Sequence, residues 1–589
     1  MRNFLKTMLA VIFGNIIFFG IFFFLMIGLI AGIAMSAKNG KEKVKGDHIL
    51  TLNIRSGLSD LSQDKSFEFG MSQGNQSAIS IYDIIDGIKK AKEDKTIKAL
   101  WLQMNYNEEL SYAQIDLLRQ AISEFKSSKK PVVAYGETIS QKMYYLGSIA
   151  DKVMVNPQGA LDVRGFAAQL TFFKKTLEKL EIKPQIFYAG KFKSATEPFR
   201  LEKMSEENKM QMKELLSDIS NTVLANIASD RKLSVDVLNL AINEMRTSMP
   251  EDAMNAGLID KITYLDEAEG ELKKLLKLGD KAELKKMTMS SFLEDKFPSI
   301  GSKGIAVYVA EGDIIDGKAE EGSIGSENMV KDIRAMTENE DIKAVVLRVN
   351  SPGGSALASD VILRELELLR KKKPLVVSMG NVAASGGYYI ASGAEKIFAE
   401  KNTITGSIGV FGIIPNIGQM MENKLGVTFD EVELHEHAAM GIHKNFDPLE
   451  ATKIQQAIDK IYISFKSVVA KGRKMNVDSV ETIAQGRVWS GIRAKELKLV
   501  DEIGGLKEAI SYIAKSNNID ETDYYFYNKR KSEFAMLMEE FSGEDTRSSI
   551  EEKYLKSKLG SYAKYYDMLK SFESIRGAQM RMVYQINGL

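Results

Sequence analysis

Ala383-Ala384-Ser385-Gly386-Gly387-Tyr388-Tyr389 places a serine between an expected strand at Leu375–Val377 and a helix of small residues, Ala391, Ser392 and Gly393. A serine at such a strand-to-helix corner can expose its hydroxyl with the next backbone N–H, that of Gly386, beside it. The bland alternative is that Ser385 merely caps the helix. Upstream, Asn350-Ser351-Pro352-Gly353-Gly354-Ser355 directly follows an expected strand at Ala344–Val349. Paired glycines there let backbone N–H groups approach a ligand near the positive end of the following helix. Such donors can hold an oxyanion or a phosphate, whereas the bland alternative is a tight turn at positive φ.

A serine hydroxyl is a weak nucleophile and needs a base. His435, His437 and His443 lie in Glu433-Leu434-His435-Glu436-His437, continuing to Lys444, a stretch that reads as a polar loop. It also admits a Ser-His-Asp arrangement or a weak metal cluster, since triads occur in any chain order. The rival base is a lysine freed of its proton: lysine titrates near ~10.4 in water, and burial lowers this by several units. Lys193 in Gly190-Lys191-Phe192-Lys193-Ser194-Ala195-Thr196-Glu197-Pro198-Phe199 has the apolar setting this requires, though an ordinary surface lysine is the default. Lys191 would point the same way if the segment were a strand.

The elements that must position these residues are duplicated. Residues 96–105 (TIKALWLQMN) resemble 341–350 (DIKAVVLRVN), 144–161 resemble 388–405, and 257–268 resemble 498–509, at nearly constant offsets of 245, 244 and 241. Three matches in one order imply two tandem copies of one α/β unit, placed at 48–295 and 296–520, followed by a tail at 521–589. Strand, helix (Ala358–Arg370), strand in alternation implies parallel pairing with right-handed crossovers. A long helix is expected from Asp447-Pro448-Leu449-Glu450, where Asp caps, Pro suits the first turn and Glu completes a capping box; its counterpart starts at Ser205. The first copy lacks the chemistry. Asn105-Tyr106-Asn107-Glu108-Glu109 replaces the Gly-Gly loop, and Gln141, Lys142 and Met143 stand opposite Ser385 and its glycines. The tail has no repeat partner and either packs on the body or mediates assembly.

Lys+Arg and Asp+Glu both total 79, so the charge balance gives no sign of a nucleic-acid partner. With no cysteine, thiol catalysis, disulfides and Cys-ligated metals are excluded, and four histidines leave little for a His-rich metal site. Residues 8–35 carry no charge and are long enough for a membrane span, which takes about 20 residues, so residues 1–36 read as an uncleaved anchor rather than a signal peptide. Arg2 and Lys6 precede it while Lys38, Lys41, Lys43 and Lys45 follow, which on the positive-inside rule places the body in the cytoplasm.

RVNSPGGS (348–355), AASGGYY (383–389), TGSIGVFG (405–412) and KSATEPF (193–199), with the anchor and the duplication, resemble the signal peptide peptidase A family in its long form. That resemblance runs from the anchor to about residue 515. It implies a repeated crotonase/ClpP-like ββα fold, Ser385 as nucleophile, Lys193 as general base and Ser407 as the residue orienting the lysine. Backbone N–H groups of Gly353, Gly354 and Gly386 would form the oxyanion hole, with no metal or organic cofactor. It further implies peptide substrates, chiefly cleaved signal peptides, a homotetramer, and a single-pass protein of the bacterial inner membrane. Its body would be extracytoplasmic, against the lysine count. The alternatives are a crotonase-type acyl-CoA enzyme, a non-catalytic membrane scaffold of the same fold, and a Ser/His protease.

Overall fold

The computed structural model describes residues 46–62, 79–296, 303–319, 322–528 and 577–582, with residues 14–15, 18–21, 555 and 558. The expected anchor at 8–35 lies almost wholly outside these; among the described residues no helix is long and apolar enough to cross a membrane.

The first half contributes β1 (His48–Asn53), β2 (Ile97–Met104), β3 (Val132–Ser140), β4 (Lys152–Asp162), β5 (Lys183–Ala189), β6 (Lys261–Ile262) and β7 (Lys286–Thr288). All but β5 form a parallel sheet in the order β6-β4-β3-β2-β1-β7. The second half begins with β8 (Gly304–Glu311), β9 (Asp313–Ile315), β10 (Ser323–Gly325), β11 (Ile342–Ser351), β12 (Gly353–Ser355) and β13 (Leu375–Ala384). It continues through β14 (Lys396–Ala399), β15 (Ile404–Gly406), β16 (Val410–Asn416), β17 (Val488–Ser490), β18 (Glu502–Ile503) and β19 (Tyr524–Phe526). Its main sheet runs β17-β15-β13-β11-β8-β19, parallel except for β15 with β17, and repeats the strand grammar of the first. A third sheet, β10-β9-β12-β20-β16-β5, draws on both halves and on β20 (Gln579–Arg581).

Local sequence accounts for most of these elements. β11 reads Ile342-Lys343-Ala344-Val345-Val346-Leu347-Arg348-Val349, an apolar run that suits a strand covered on both faces. The expected strand at Leu375–Val377 is longer than its apolar core: β13 continues through Ser378, Gly380 and Asn381 to Ala384, the residue before Ser385. Neighbouring strands, not side-chain hydrophobicity, carry that extension, since β15 pairs with Val382–Ala384. The helix Pro448–Arg473 starts on the Asp447 carboxylate, which accepts the N–H groups of Leu449 and Glu450 at 2.7 and 2.8 Å, while Glu450 accepts the Asp447 N–H. The helix Glu206–Arg231 starts on Ser205, whose hydroxyl accepts the Asn208 N–H at 3.1 Å.

The two halves share a core. Ala384, Ile404 and Val488 of the second half pack in the same apolar cluster as the first-half strands. A buried ion pair, Arg348 to Asp60 at 2.8 Å, also crosses between them, with both side chains at most 2% exposed. Described parts of the tail pack on this body: β19 extends the second sheet beyond residue 520, and β20 enters the third.

Candidate active site

β13 ends at Ala384, and Ser385 turns the chain into the helix Gly386–Ala391 with φ 55° and ψ −113°. Non-glycine residues rarely adopt positive φ, and such strain costs on the order of 1–3 kcal/mol. Two backbone bonds hold it: the Ser385 N–H donates to Gly406 O and the Tyr389 N–H to Ser385 O, both at 2.8 Å. The hydroxyl does not cap the helix. It lies 2.9 Å from the Lys193 Nζ.

Lys193 arrives from the other half. β5 pairs antiparallel with β16, Ala189 opposite Val410, and the chain then turns at Gly190 into the short helical turns of 194–200. The Phe192 N–H donates to Gln485 O at 2.8 Å, and the Gln211 amide holds Phe192 O and the Ser194 hydroxyl at 3.2 and 2.7 Å. The buried Glu197 carboxylate accepts from the Ser205 N–H and the Asn208 amide, fixing the turn beyond. The amine is thus delivered to the apolar interior, 1% exposed, and burial lowers its pKa to about 7. Besides Ser385 it lies within 3.1 Å of Ser407 Oγ and 3.2 Å of Ser407 O. Among the described residues no carboxylate pairs with it. Lys191, by contrast, is exposed.

Ser407 follows Gly406 and also has positive φ, 51°, with its N–H donating to Arg487 O at 2.7 Å. Gly353 (φ 99°) and Gly386 lie side by side: a Cβ on Gly353 would stand 2.6 Å from Gly386 N. The Gly353 N–H donates to Ser351 Oγ at 3.1 Å. A Cβ on Gly354 would stand 1.9 Å from Ile314 O, so close backbone approach requires glycine there regardless of any ligand. Ser385, Lys193, Ser407, Gly353 and Gly386 therefore converge on one locus between the halves, whereas the neighbours of Gly354 are the backbone atoms of Ile314.

One contributor was not singled out in the sequence. Gly486 (φ 80°) faces Lys193 so closely that a Cβ would stand 2.6 Å from the lysine's backbone N and Cα. Its only signal is a glycine in Ala484-Gln485-Gly486-Arg487, with nothing local to tie it to a lysine in the other half. The histidines go elsewhere. His435 is exposed, His437 Nδ1 lies 3.0 Å from Asp447 and 3.3 Å from Glu450, and His443 pairs with Glu431. The three histidines thus do not form one cluster, although His437, Asp447 and Glu450 bring ligand atoms within 4.8 Å of one another.

A buried amine of lowered basicity beside a hydroxyl, with glycine backbone at hand, is chemically suited to nucleophilic acyl transfer. Comparison with known proteins agrees. The model of peptidase family S49 matches residues 124–279 and again 367–520, more than half of the chain and one match in each copy. The Clp protease model matches residues 310–405. Protease 4 of Haemophilus influenzae is 35% identical over 523 residues, covering 84% of this chain and 83% of that protein. The chloroplastic serine protease SPPA of Arabidopsis thaliana is 32% identical over 81% of this chain and 70% of its own length. A putative signal peptide peptidase SppA of Enterococcus faecium is 36% identical over 36% of this chain and 61% of its own. With a duplicated match and relatives of this extent, the chain belongs to peptidase family S49 and is a serine peptidase of the SppA type.

Proposed function

We propose that Ser385 is the nucleophile, Lys193 the general base and Ser407 the residue that orients the lysine amine. Neutral Lys193 takes the Ser385 proton as the oxygen attacks the scissile carbonyl. The same amine, now protonated, gives its proton to the leaving amine, and once neutral again activates the water that hydrolyses the acyl-enzyme. Backbone N–H groups of Gly353, Gly354 and Gly386 stabilise the oxyanion, at about 3 kcal/mol per donor. The observation that carries this reading is the 2.9 Å approach of Lys193 Nζ to Ser385 Oγ in a setting where burial alone lowers the amine to about 7.

The finer assignment extends to place and substrate. Residues 8–35 anchor the protein in the bacterial inner membrane as a single span, the body is extracytoplasmic, the assembly is a homotetramer, and the substrates are cleaved signal peptides. The uncharged apolar run supports the anchor and a relative named as a putative signal peptide peptidase supports the substrate class; the side of the membrane and the tetramer rest on the family resemblance alone. The repeated crotonase/ClpP-like architecture is supported by the duplicated parallel sheets and the Clp protease match.

The test is the pH dependence of peptide hydrolysis. Activity is carried by the unprotonated amine, so kcat/KM rises with pH through about 7, and Lys193→Ala abolishes it. An optimum near pH 5 (about two units below that titration) would reject a lysine base.

A further inference from the structure

One buried amide reaches both sides of the proposed dyad. Gln211 lies on the helix Glu206–Arg231 and is 1% exposed. Burying an amide is unfavourable unless its donors and its acceptor find partners. Its Nε2 lies 2.7 Å from Ser194 Oγ and 3.2 Å from Phe192 O, on the two residues that flank Lys193, and 3.1 Å from Asn208 Oδ1. Its Oε1 accepts the Val488 N–H at 3.3 Å. A flipped amide would set its oxygen against Phe192 O and its NH2 against the Val488 N–H, so one orientation alone satisfies both ends.

The Val488 end leads to the serines. Val488 on β17 pairs with Gly406 on β15. Gly406 O accepts the Ser385 N–H at 2.8 Å, and Arg487 O, one residue before Val488, accepts the Ser407 N–H at 2.7 Å. One side chain thus joins the turn that delivers the amine to the strand that backs the hydroxyl and Ser407. The second copy does not repeat it: the helix Pro448–Arg473 has the same 26 residues, and its position matching Gln211 is Lys453, which is exposed. We infer that Gln211 is a positioning residue, which sets the separation of the Lys193 amine from the Ser385 hydroxyl by tying the lysine turn to β17. This rests on Ser385 and Lys193 being the catalytic pair. The bonds of the amide go to the frame around the reacting atoms, and what they hold is a 2.9 Å contact made between two halves of the chain. A displacement of about 1 Å in such a contact is worth about a hundredfold in rate.

The test is Gln211→Met in the full chain, which keeps the length of the side chain and removes every bond of the amide. The readouts are kcat, KM and the pH profile of peptide hydrolysis. kcat falls about ten- to a hundredfold while KM stays within about twofold, since positioning rather than substrate contact is lost. The midpoint of the acid limb of kcat/KM, about 7 in the parent, rises by about half a unit or more as the amine leaves its apolar setting. Methionine is less polar than the amide and by itself would lower that midpoint, so a rise reports movement of the lysine. The control is Gln114→Met, at another buried amide of the first half, bonded to Leu58 O and the Ser111 N–H. It lowers the melting temperature and leaves the midpoint in place. A midpoint that stays put in Gln211→Met, or moves as far in Gln114→Met, overturns the inference and makes the amide merely structural. Where Gln211→Met does not fold, Ser194→Ala decides, since it removes a single bond to the amide: a rise in the midpoint upholds the role, and none overturns it. Hydrolysis that survives Lys193→Ala rejects the catalytic pair itself, whereas hydrolysis that needs Lys193 and ignores Gln211 rejects only the positioning role.

Discussion

The two strand-to-helix corners of the duplicated units differ by one residue in where the serine stands. Tyr144 and Tyr388 occupy matching places, donating to Leu258 O and Leu499 O at 2.7 and 2.8 Å, and Tyr145 and Tyr389 bond to Asp116 and Asp360. Counting back from these tyrosines, Gln141 stands opposite Ser385, and Ser140 opposite Ala384. In the first half Ser140 has relaxed extended backbone (φ −71°, ψ 161°), and its hydroxyl caps the helix by accepting the Met143 N–H. In the second, Ser385 has strained backbone and leaves its helix uncapped. One corner spends its serine on local stability, while the other holds a hydroxyl against a foreign amine.

The lysines follow the same division. Lys142, opposite Gly386, is buried in the first half, but its amine donates to Glu108 O at 2.8 Å and faces no nucleophile. Lys193 is equally buried, and its neighbours are Ser385 and Ser407. Ser407 in turn stands opposite Val163, which has no hydroxyl to offer. A duplicated frame therefore tolerates buried lysines in both copies, and only the partner presented to the amine makes one of them a candidate base.

The largest effect expected from this contrast is on activity. Ser385→Ala lowers peptide hydrolysis by about a thousandfold or more, and adding Gln141→Ser does not restore it, because the first corner has neither amine partner nor glycine wall. Recovery of hydrolysis in that double variant would break the asymmetry. Next comes the cost of burying Lys193. Its pKa falls from about 10.4 in the unfolded chain to about 7 in the fold, so the unfolded state binds the extra proton between these values. Lys193→Met removes this burden, and the variant should be more stable than the wild type below pH 7 by on the order of 4 kcal/mol, before any change in packing. The advantage shrinks as pH rises from 7 towards 10.4, by up to about 1.4 kcal/mol per unit, which parallel denaturation curves at pH 6, 8 and 9.5 would read (values chosen roughly to bracket the window). A constant difference across that range would mean the amine is not held near 7. The smallest effect concerns the corner itself. Ser385→Gly relieves the positive φ and should raise stability by about 1 kcal/mol while abolishing activity, whereas Ser140→Ala should lose about 1 kcal/mol with the cap and leave activity unchanged. Equal responses of the two corners would erase the distinction.

Much of this was legible along the chain because the signals were local. Asp447 and Glu450 announce a helix start by their spacing, and the repeat offsets disclose two units before any strand is paired. The contrast of Ser385, Gly386 and Gly387 with Gln141, Lys142 and Met143 marks which unit carries the chemistry. Strand length was less legible, since the polar continuation of β13 through Asn381 is carried by pairing with β15 rather than by its own side chains.

From the sequence alone came the duplicated α/β grammar, the serine-glycine corner and the candidate lysine in an apolar segment, all properties of residues near one another in the chain. The fold decided what lies across it. Lys193 meets Ser385 because β5 crosses to pair with β16, and Gly486 lets the lysine turn lie flat against the second half. Residues 578–582 reach β12 by the same kind of long-range pairing. Such meetings depend on which strand edges are left open once both sheets have formed, and no local spacing of residue types encodes that.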